Sequence, residues 1–249
     1  MILIILSLGL IGFIVGYLAF KKGWQRHLVG DLGLVLLISA AVLMIGNDNN
    51  HWGMHQTTTT KTTQLTSAVA NPYVKLLLFE PVKKSNTEKV YVYRTTDSKK
   101  RQNTAVSLTT HNQATTANVT TAKLTTKTTR WTYDNQFWRW LYADTGTHTT
   151  LVKRENTFIL PKTWATLSIS QAKWLETQAK AENAKAKTAL KAAVTAKVTA
   201  VKTADPTLSA TQLATLTKAV TQAAQKDAKK QAPALIAKLI KQAQARSIH

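Results

Sequence analysis

An uncharged apolar segment at the start of the chain restricts the fold more than any other feature. The nineteen residues Ile2 to Phe20 carry no charge, and thirteen of them are Leu, Ile, Phe or Val. A helix of this length rises about 28 Å, close to the hydrocarbon thickness of a bilayer, and its composition favours insertion by roughly 4 to 8 kcal/mol. No basic residue precedes the segment and no small-residue cleavage motif follows it, which disfavours a cleaved signal peptide. The segment therefore predicts one complete membrane crossing.

A second apolar run, Leu28 to Gly46, is interrupted only by Asp31 and predicts the return crossing. Asp31 falls within one turn of the expected helix start, where a carboxylate favours the helix dipole and can reach headgroup water. We interpret it as an interfacial carboxylate beside Lys21, Lys22 or Arg26. A proton or ion relay within the membrane is the alternative.

The distribution of basic residues predicts the orientation of this hairpin. The connecting loop carries Lys21, Lys22 and Arg26, whereas residues 47–56 carry no Lys or Arg. Loops rich in Lys and Arg stay in the cytoplasm, so these three residues are the expected topology determinants. We expect a multi-pass protein of the cell membrane with two helices and both termini extracytoplasmic.

Small residues recur on both predicted helices. Gly9, Gly12 and Gly16 fall on one face of the first helix, and Gly33 and Ala40 share a face of the second. Small residues let helix backbones approach closely in a membrane. We expect these faces to pack on each other inside the hairpin, with docking to another membrane protein as the alternative.

Three further regions follow the hairpin at 1–46. Residues 47–71 contain the Thr-rich tract Gln56 to Gln64 and are predicted to form a polar linker, with that tract as a spacer. Residues 72–168 contain about eight short β-branched and aromatic runs separated by turn residues, which predict a small antiparallel β sandwich or barrel. Residues 169–249 have an Ala/Lys-rich helical composition. The fold class expected is therefore a membrane-anchored α+β protein.

Aromatic residues are densest between positions 131 and 142 of the predicted β domain. If Phe137 to Tyr142 is a strand, alternation places Trp138, Trp140 and Tyr142 on one face. Core packing explains this pattern most simply. If that face is exposed, however, Trp138 and Trp140 with the flanking Arg130 and Arg139 would form a ligand surface for sugar rings or bases.

The C-terminal region is expected to form basic helices with narrow apolar stripes. Asp205-Pro206 predicts a break after a first helix, and Ser209 to Gln212 is a capping-box pattern that opens a second. Pro233 predicts the start of a third segment or a kink. From residue 171 onward there are fourteen Lys and Arg against four Asp and Glu. Such helices could pack on the β domain, on another chain or on a surface of opposite charge.

Few residue patterns point to catalysis or to a cofactor. The chain has no cysteine, no Gly-rich phosphate loop and no serine elbow, so the sequence predicts no catalytic, cofactor-binding or metal site. Asp144-Thr145-Gly146 is similar to the aspartic-protease motif, but that chemistry needs a second such carboxylate and a turn is favoured. His51 and His55 have helical ligand spacing, but no Glu follows the first His as a zinc protease would require.

The whole layout resembles an uncharacterised family of membrane proteins from lactic acid bacteria, known only as a domain of unknown function. The resemblance rests on the apolar start through Phe20, the turn Lys21 to Trp24, the second helix, Tyr91 to Arg94 and Phe137 to Trp140. It covers nearly the full chain and implies a Gram-positive envelope. It defines no functional residue that could be carried over.

Charge directs the functional hypotheses. A net charge of +21 predicts attraction to polyanions, and an extracytoplasmic location does not favour nucleic acid. The leading hypothesis is a non-enzymatic cell-envelope protein whose β domain and basic helices bind membrane lipid, anionic cell-wall polymer or a neighbouring membrane protein. The alternatives are an accessory subunit of a membrane transporter that docks through the hairpin and, more weakly supported, an aspartate-dependent hydrolase that uses Asp144.

Overall fold

The computed structural model describes residues 1–21, 23–71, 73–82, 88–146, 150–205, 207 and 209–248. These residues form an α+β protein with apolar helices first, a β-sheet next and long helices last, which confirms the α+β part of the predicted class. The helices are α1 (Ile2–Leu18), α2 (Trp24–Asn50), α3 (Gln136–Leu141), α4 (Ile169–Ala204) and α5 (Ala210–Gln244).

The strands are β1 (Met54–Thr66), β2 (Lys75–Pro81), β3 (Lys89–Thr95), β4 (Ser98–Asn103), β5 (Thr110–Ala117), β6 (Lys123–Tyr133), β7 (Leu151–Pro161) and β8 (Trp164–Ser168). They belong to one sheet in the order β5-β7-β6-β1-β3-β2-β8, and β4 pairs with β3. We predicted a sandwich or a barrel. The described strands form one curled sheet, like half of a barrel, so the two sheets of a sandwich are not found among them. The expectation of purely antiparallel pairing is also wrong, because β2 and β8 are parallel. Residue alternation reports which side of a strand is buried but not its direction.

The chain divides into two compact units, which are described separately. Unit 1 comprises Met1–Thr62, Ser107–His111 and Thr125–Asn156, and unit 2 comprises Thr63–Val106, Asn112–Leu124 and Thr157–His249. Unit 1 thus contains α1, α2 and α3, and unit 2 contains β2, β3, β4, β8, α4 and α5.

In unit 1, β1 includes the Thr-rich tract that we predicted to be a spacer. The Oγ1 atoms of Thr57 and Thr132 are 2.6 Å apart, and those of Thr58 and Thr129 are 2.8 Å apart. Threonine is β-branched and favours extended backbone, and threonine hydroxyls on neighbouring strands can bond to each other. The tract therefore forms a strand without burying apolar surface, which a search for apolar alternation overlooks.

In unit 2, strand β2 is buried on both faces. Leu77 and Phe79 belong to a core with Tyr91 of the neighbouring strand β3 and Phe158 of β7. Leu76 and Leu78 belong to a second core that includes Leu167, Leu175 of α4 and Leu239 of α5. Because successive strand residues point to opposite sides, the continuous run from Leu76 to Phe79 fills both cores.

The two long helices of unit 2 begin with capping boxes. Ser209 caps α5 through Gln212, as the sequence pattern predicted, and Ser168 caps α4 through Gln171, which was not predicted. Helix α4 ends at Ala204, which confirms the break at Asp205. The prediction of a separate segment at Pro233 is wrong, because α5 continues through it. Ile236 and Leu239, which follow the proline, pack into the second core, and this burial offsets the backbone hydrogen bond that proline removes.

Candidate functional site

The glycines predicted to mediate helix packing lie where α1 and α2 cross. A Cβ atom at Gly9 would lie 2.7 Å from the backbone nitrogen of Leu37, and one at Gly16 would lie 2.5 Å from the Cα of Gly30. A Cβ at Gly12 would lie 3.4 Å from the Cα of Gly33. The three glycines of α1 therefore face α2 within the hairpin, where only hydrogen in place of a side chain permits this approach.

Two further positions complete this packing. Gly30 was not singled out from the sequence, yet a Cβ there would lie 2.5 Å from Cε2 of Tyr17. The sequence feature that could have identified Gly30 as a packing residue is its spacing of three residues from Gly33. Ala40, predicted to share the glycine face, is buried in a cluster with Ile2 of α1 and with Leu141 and Tyr142.

The expected topology determinants lie in and after the connection between α1 and α2. Lys21 is exposed, and Lys22 lies outside the described residues. The guanidinium carbon of Arg26 is 5.5 Å from the centre of the Tyr17 ring. Asp31 accepts a hydrogen bond from the Tyr17 hydroxyl, a partner that the spacing of charges did not indicate.

Residues 136–141 form helix α3, so the prediction of a strand over Phe137 to Tyr142 is wrong. The side chain of Asn135 accepts a hydrogen bond from the backbone N–H of Trp138 at 3.2 Å and caps the helix. Asp134-Asn135 therefore opens a helix. Asn is favoured at helix N-caps as well as in turns between strands, so these two residues are compatible with either structure.

The helical geometry divides the aromatic residues into two sets. Trp138 and Tyr142, four residues apart, have ring centres 5.9 Å apart with planes at 6°, and the Tyr133 ring lies 5.9 Å from that of Tyr142 at 16°. We call Tyr133, Trp138 and Tyr142 the aromatic stack. Phe137 lies edge-on to Trp138, with ring centres 5.4 Å apart, but it remains exposed, as does Trp140.

The aromatic stack joins α3 to the helical hairpin within unit 1. The Tyr142 hydroxyl donates a hydrogen bond of 2.9 Å to the carbonyl oxygen of Leu43 on α2. Tyr142 is fully buried, and this burial, with a smaller contribution from Tyr133, raises the pKa of its hydroxyl above the ordinary value. Gly53 has a φ of 74°, and a Cβ there would lie 2.6 Å from Cγ of Trp138. This glycine, which the sequence analysis missed, leaves room for the stack.

The ligand surface predicted from Arg130, Trp138, Arg139 and Trp140 takes a different form. Trp138 packs into the aromatic stack, whereas Arg139 and Trp140 are exposed on α3 and Arg130 is half-buried on β6. Strand alternation would place Trp138 and Trp140, which are two residues apart, on one face. A helix turns 100° per residue, so the two side chains lie on different sides of α3.

The candidate polar residues have other partners. His51 lies edge-on to Trp131, with ring centres 4.1 Å apart, and His55 Nδ1 is 2.7 Å from a carboxylate oxygen of Asp134. Asp144 forms an ion pair with the amino group of Met1. Within the part of the chain that the structure describes, no three His, Asp or Glu side chains converge as a metal site requires.

Substitution of Tyr142 by phenylalanine should weaken the attachment of α3 to the hairpin. It removes one hydrogen bond and leaves the ring in place, so we expect a loss of about 0.5 to 1.5 kcal/mol in the free energy of unfolding. Thermal unfolding of the full chain in nanodiscs measures this loss. Tyr73→Phe is the matched control, because Tyr73 is exposed in unit 2 and its variant should match the parent. Equal unfolding of the Tyr142→Phe variant and the parent would contradict the role of this hydrogen bond.

In unit 2, α4 and α5 form a basic surface that we call the helical arm. The basic side chains of its outer part are exposed on both helices, and those of α4 are Lys187, Lys191, Lys197 and Lys202. The apolar stripes of the two helices are only half-buried in this part of the arm. Nearer the sheet, Lys180 pairs with Glu176 at 2.7 Å, and this contact lowers the pKa of the Glu176 carboxyl.

A groove of about 620 Å³ lies between β2 and the inner part of the helical arm. Its floor is apolar and includes Leu76, Leu78 and Leu239, and its mouth carries Arg101, Lys173, Lys180 and Glu176. Three cationic side chains against one carboxylate give the mouth a net positive charge. The groove therefore continues the positive surface of unit 2 rather than interrupting it.

Comparison with known proteins identifies a family without a known activity. Residues 22–175, more than half of the chain, match a family model described as Domain of unknown function (DUF4811). No curated protein and no solved structure matches the chain. Among the described residues, α2 is the one helix long and apolar enough to span a membrane, and α1 is apolar but shorter at 17 residues.

Proposed function

We propose that this chain, which belongs to the DUF4811 family, is a non-enzymatic membrane-anchored protein of the cell envelope that binds an anionic partner through its helical arm. The observation that carries this proposal is the excess of exposed lysine along α4 and α5. Association of this kind depends on charge density rather than on a shaped pocket.

Two membrane crossings, rather than one, are supported by the packing of α1 on α2. The glycine contacts place the two helices side by side, so α1 lies against a helix that can span the bilayer. Large apolar side chains are exposed on both helices, including Leu8, Ile11, Leu32 and Ile38. A continuous apolar surface of this size is unfavourable in water and favourable in lipid.

The orientation follows from the basic residues at one end of the hairpin. Lys21 and Arg26 flank the connection between α1 and α2, and no Lys or Arg occurs from residue 47 to residue 56. The connection is then cytoplasmic, and the sheet and helical arm are extracytoplasmic. A cell-wall polymer rich in phosphate is an anionic partner available on that side.

Salt-dependent retention tests the proposed partner. The full chain in nanodiscs of neutral lipid should bind immobilised polyglycerol phosphate at about 0.05 M salt and lose at least about tenfold in affinity at about 0.5 M, because screening shortens the range of charge attraction. Immobilised neutral dextran is the control and should retain little protein at either salt concentration. Equal retention on polyglycerol phosphate at the two concentrations would contradict the proposal.

A role as an accessory subunit of a transporter receives less support. That alternative assigned docking to Gly9, Gly12 and Gly16, but these glycines contact α2 within the same hairpin. A face already covered by its own partner helix is not available to another protein.

A further inference from the structure

Helix α3 has an exposed aromatic pair outside the aromatic stack. Phe137 is 58% exposed and Trp140 is 52% exposed, and their ring centres are 6.5 Å apart. The exposed side chain of Arg139 lies between them in sequence. Large aromatic residues seldom remain exposed side by side on a surface that faces only water.

Contacts with the hairpin determine the position of α3 along the axis of α2. The Tyr142 hydroxyl reaches the carbonyl oxygen of Leu43, five residues before Asp48, the next charged residue of α2. Five helical residues rise about 7.5 Å, so Tyr142 lies level with the last apolar turns of α2. Leu141 and Tyr142 also pack with Ile2, at the start of α1.

We propose that α3 is an interfacial helix that inserts Phe137 and Trp140 between the headgroups and acyl chains of the phospholipid leaflet at this end of the hairpin. This inference rests on the proposed membrane anchoring and names phospholipid as the partner of this surface. Tryptophan favours the boundary of the bilayer, where its apolar ring is buried and its N–H remains near water. Arg139 can reach lipid phosphate from the same helix.

Insertion of α3 attaches the protein to the membrane at a third place, in addition to the crossings by α1 and α2. Leu141 and Tyr142 hold the inner side of α3 on the hairpin, and Asn135 caps its first turn. Short helices are unstable alone, so these contacts are what keep the exposed pair in position. Insertion of the pair would limit rotation of unit 1 about the hairpin axis.

The absence of cysteine from the chain makes a depth measurement straightforward. Single variants Phe137→Cys and Trp140→Cys, each carrying a nitroxide spin label, are placed in phospholipid nanodiscs with the rest of the full chain unchanged. Collision with oxygen, which concentrates in lipid, is compared with collision with a water-soluble nickel chelate. Ile11→Cys on the exposed surface of α1 is the lipid reference, and Lys197→Cys on the helical arm is the water reference.

The proposal expects labels at positions 137 and 140 to have an oxygen-to-nickel ratio several-fold above that at 197 and below that at 11. A ratio at both positions equal to that at 197 would overturn it. Immobilisation of these labels by added soluble oligosaccharide, without lipid contact, would overturn it in favour of carbohydrate stacking. If the label at 11 is itself open to the nickel chelate, the membrane anchoring has failed, which separates that outcome from a failure of the α3 proposal alone.

Discussion

Replacement of Gly33 by alanine is expected to separate α1 from α2. A Cβ at this position would lie 2.6 Å from the carbonyl carbon of Gly12 and 2.9 Å from the carbonyl oxygen of Gly9, and it would overlap the backbone of Phe13. Backbone atoms cannot rotate aside as a flexible side chain can, so the helices must move apart. Overpacking of this kind costs about 1 to 3 kcal/mol, although alanine favours a helix more than glycine does.

A distance between the two helices measures this effect directly. Spin labels on Leu10→Cys and Val35→Cys, both on exposed positions of the hairpin, report the separation of α1 and α2 in nanodiscs. We expect a longer and broader distance distribution and a lower unfolding temperature in the Gly33→Ala background. Gly23→Ala is the matched control, because nothing lies within 4 Å of a Cβ placed there. An unaltered distribution for Gly33→Ala would rule out close glycine packing as the contact that holds the hairpin.

The helical hairpin is the part of the fold that sequence reasoning predicts best. The length of the apolar segments predicts α1 and α2. The spacing of Gly9, Gly12 and Gly16 along a helical period predicts the face that they share. Gly30 was missed because its contacts, with the Tyr17 side chain and with Gly16, are made to the other helix. A contact of this kind depends on how the two helices are rotated, which the pattern of one helix does not determine.

The β region shows where residue patterns become ambiguous. The Thr-rich tract of β1 has no apolar alternation, and on that ground it was predicted to be a spacer. Threonine nevertheless has strong β propensity, and pairing with β6 makes the tract a strand. A search for apolar alternation finds only strands that bury apolar side chains. Strand β1 is stabilised instead by hydroxyl hydrogen bonds to β6, which is more than sixty residues away in the sequence. Only the tertiary partner decides between the two states.

Helix α3 is the clearest failure of alternation as evidence. The order Phe137, Trp138, Arg139, Trp140 fits a strand by composition, and six residues are too few to establish a helical period. Asn135 as N-cap and the stack of Trp138 on Tyr142 decide for the helix. This difference also changes the candidate site, because a strand would have presented Trp138 and Trp140 together, whereas the helix packs Trp138 into the aromatic stack and exposes Trp140.

Removal of charge from the outer part of the helical arm is expected to have the largest effect on binding. The variant replaces four exposed lysines of α4 by glutamine, namely Lys187, Lys191, Lys197 and Lys202. A lysine close to a dense anionic surface contributes about 1 kcal/mol, so four substitutions should weaken binding to polyglycerol phosphate by roughly 10³-fold at low salt. Glutamine has nearly the helix propensity of lysine, so helix content by circular dichroism should not change.

The matched control removes the same total charge from exposed positions in and beside the strands, through Lys61→Gln, Lys75→Gln, Lys127→Gln and Lys162→Gln. If attraction depended only on net charge, the two variants would lose equal affinity, because each is reduced by four charges. If the arm itself contacts the polymer, the arm variant loses far more, since screening over about 10 Å at 0.1 M salt weakens the contribution of charges that do not touch it. Equal losses would therefore assign the attraction to the whole molecule and not to α4. A larger loss in the control would move the binding surface to the sheet.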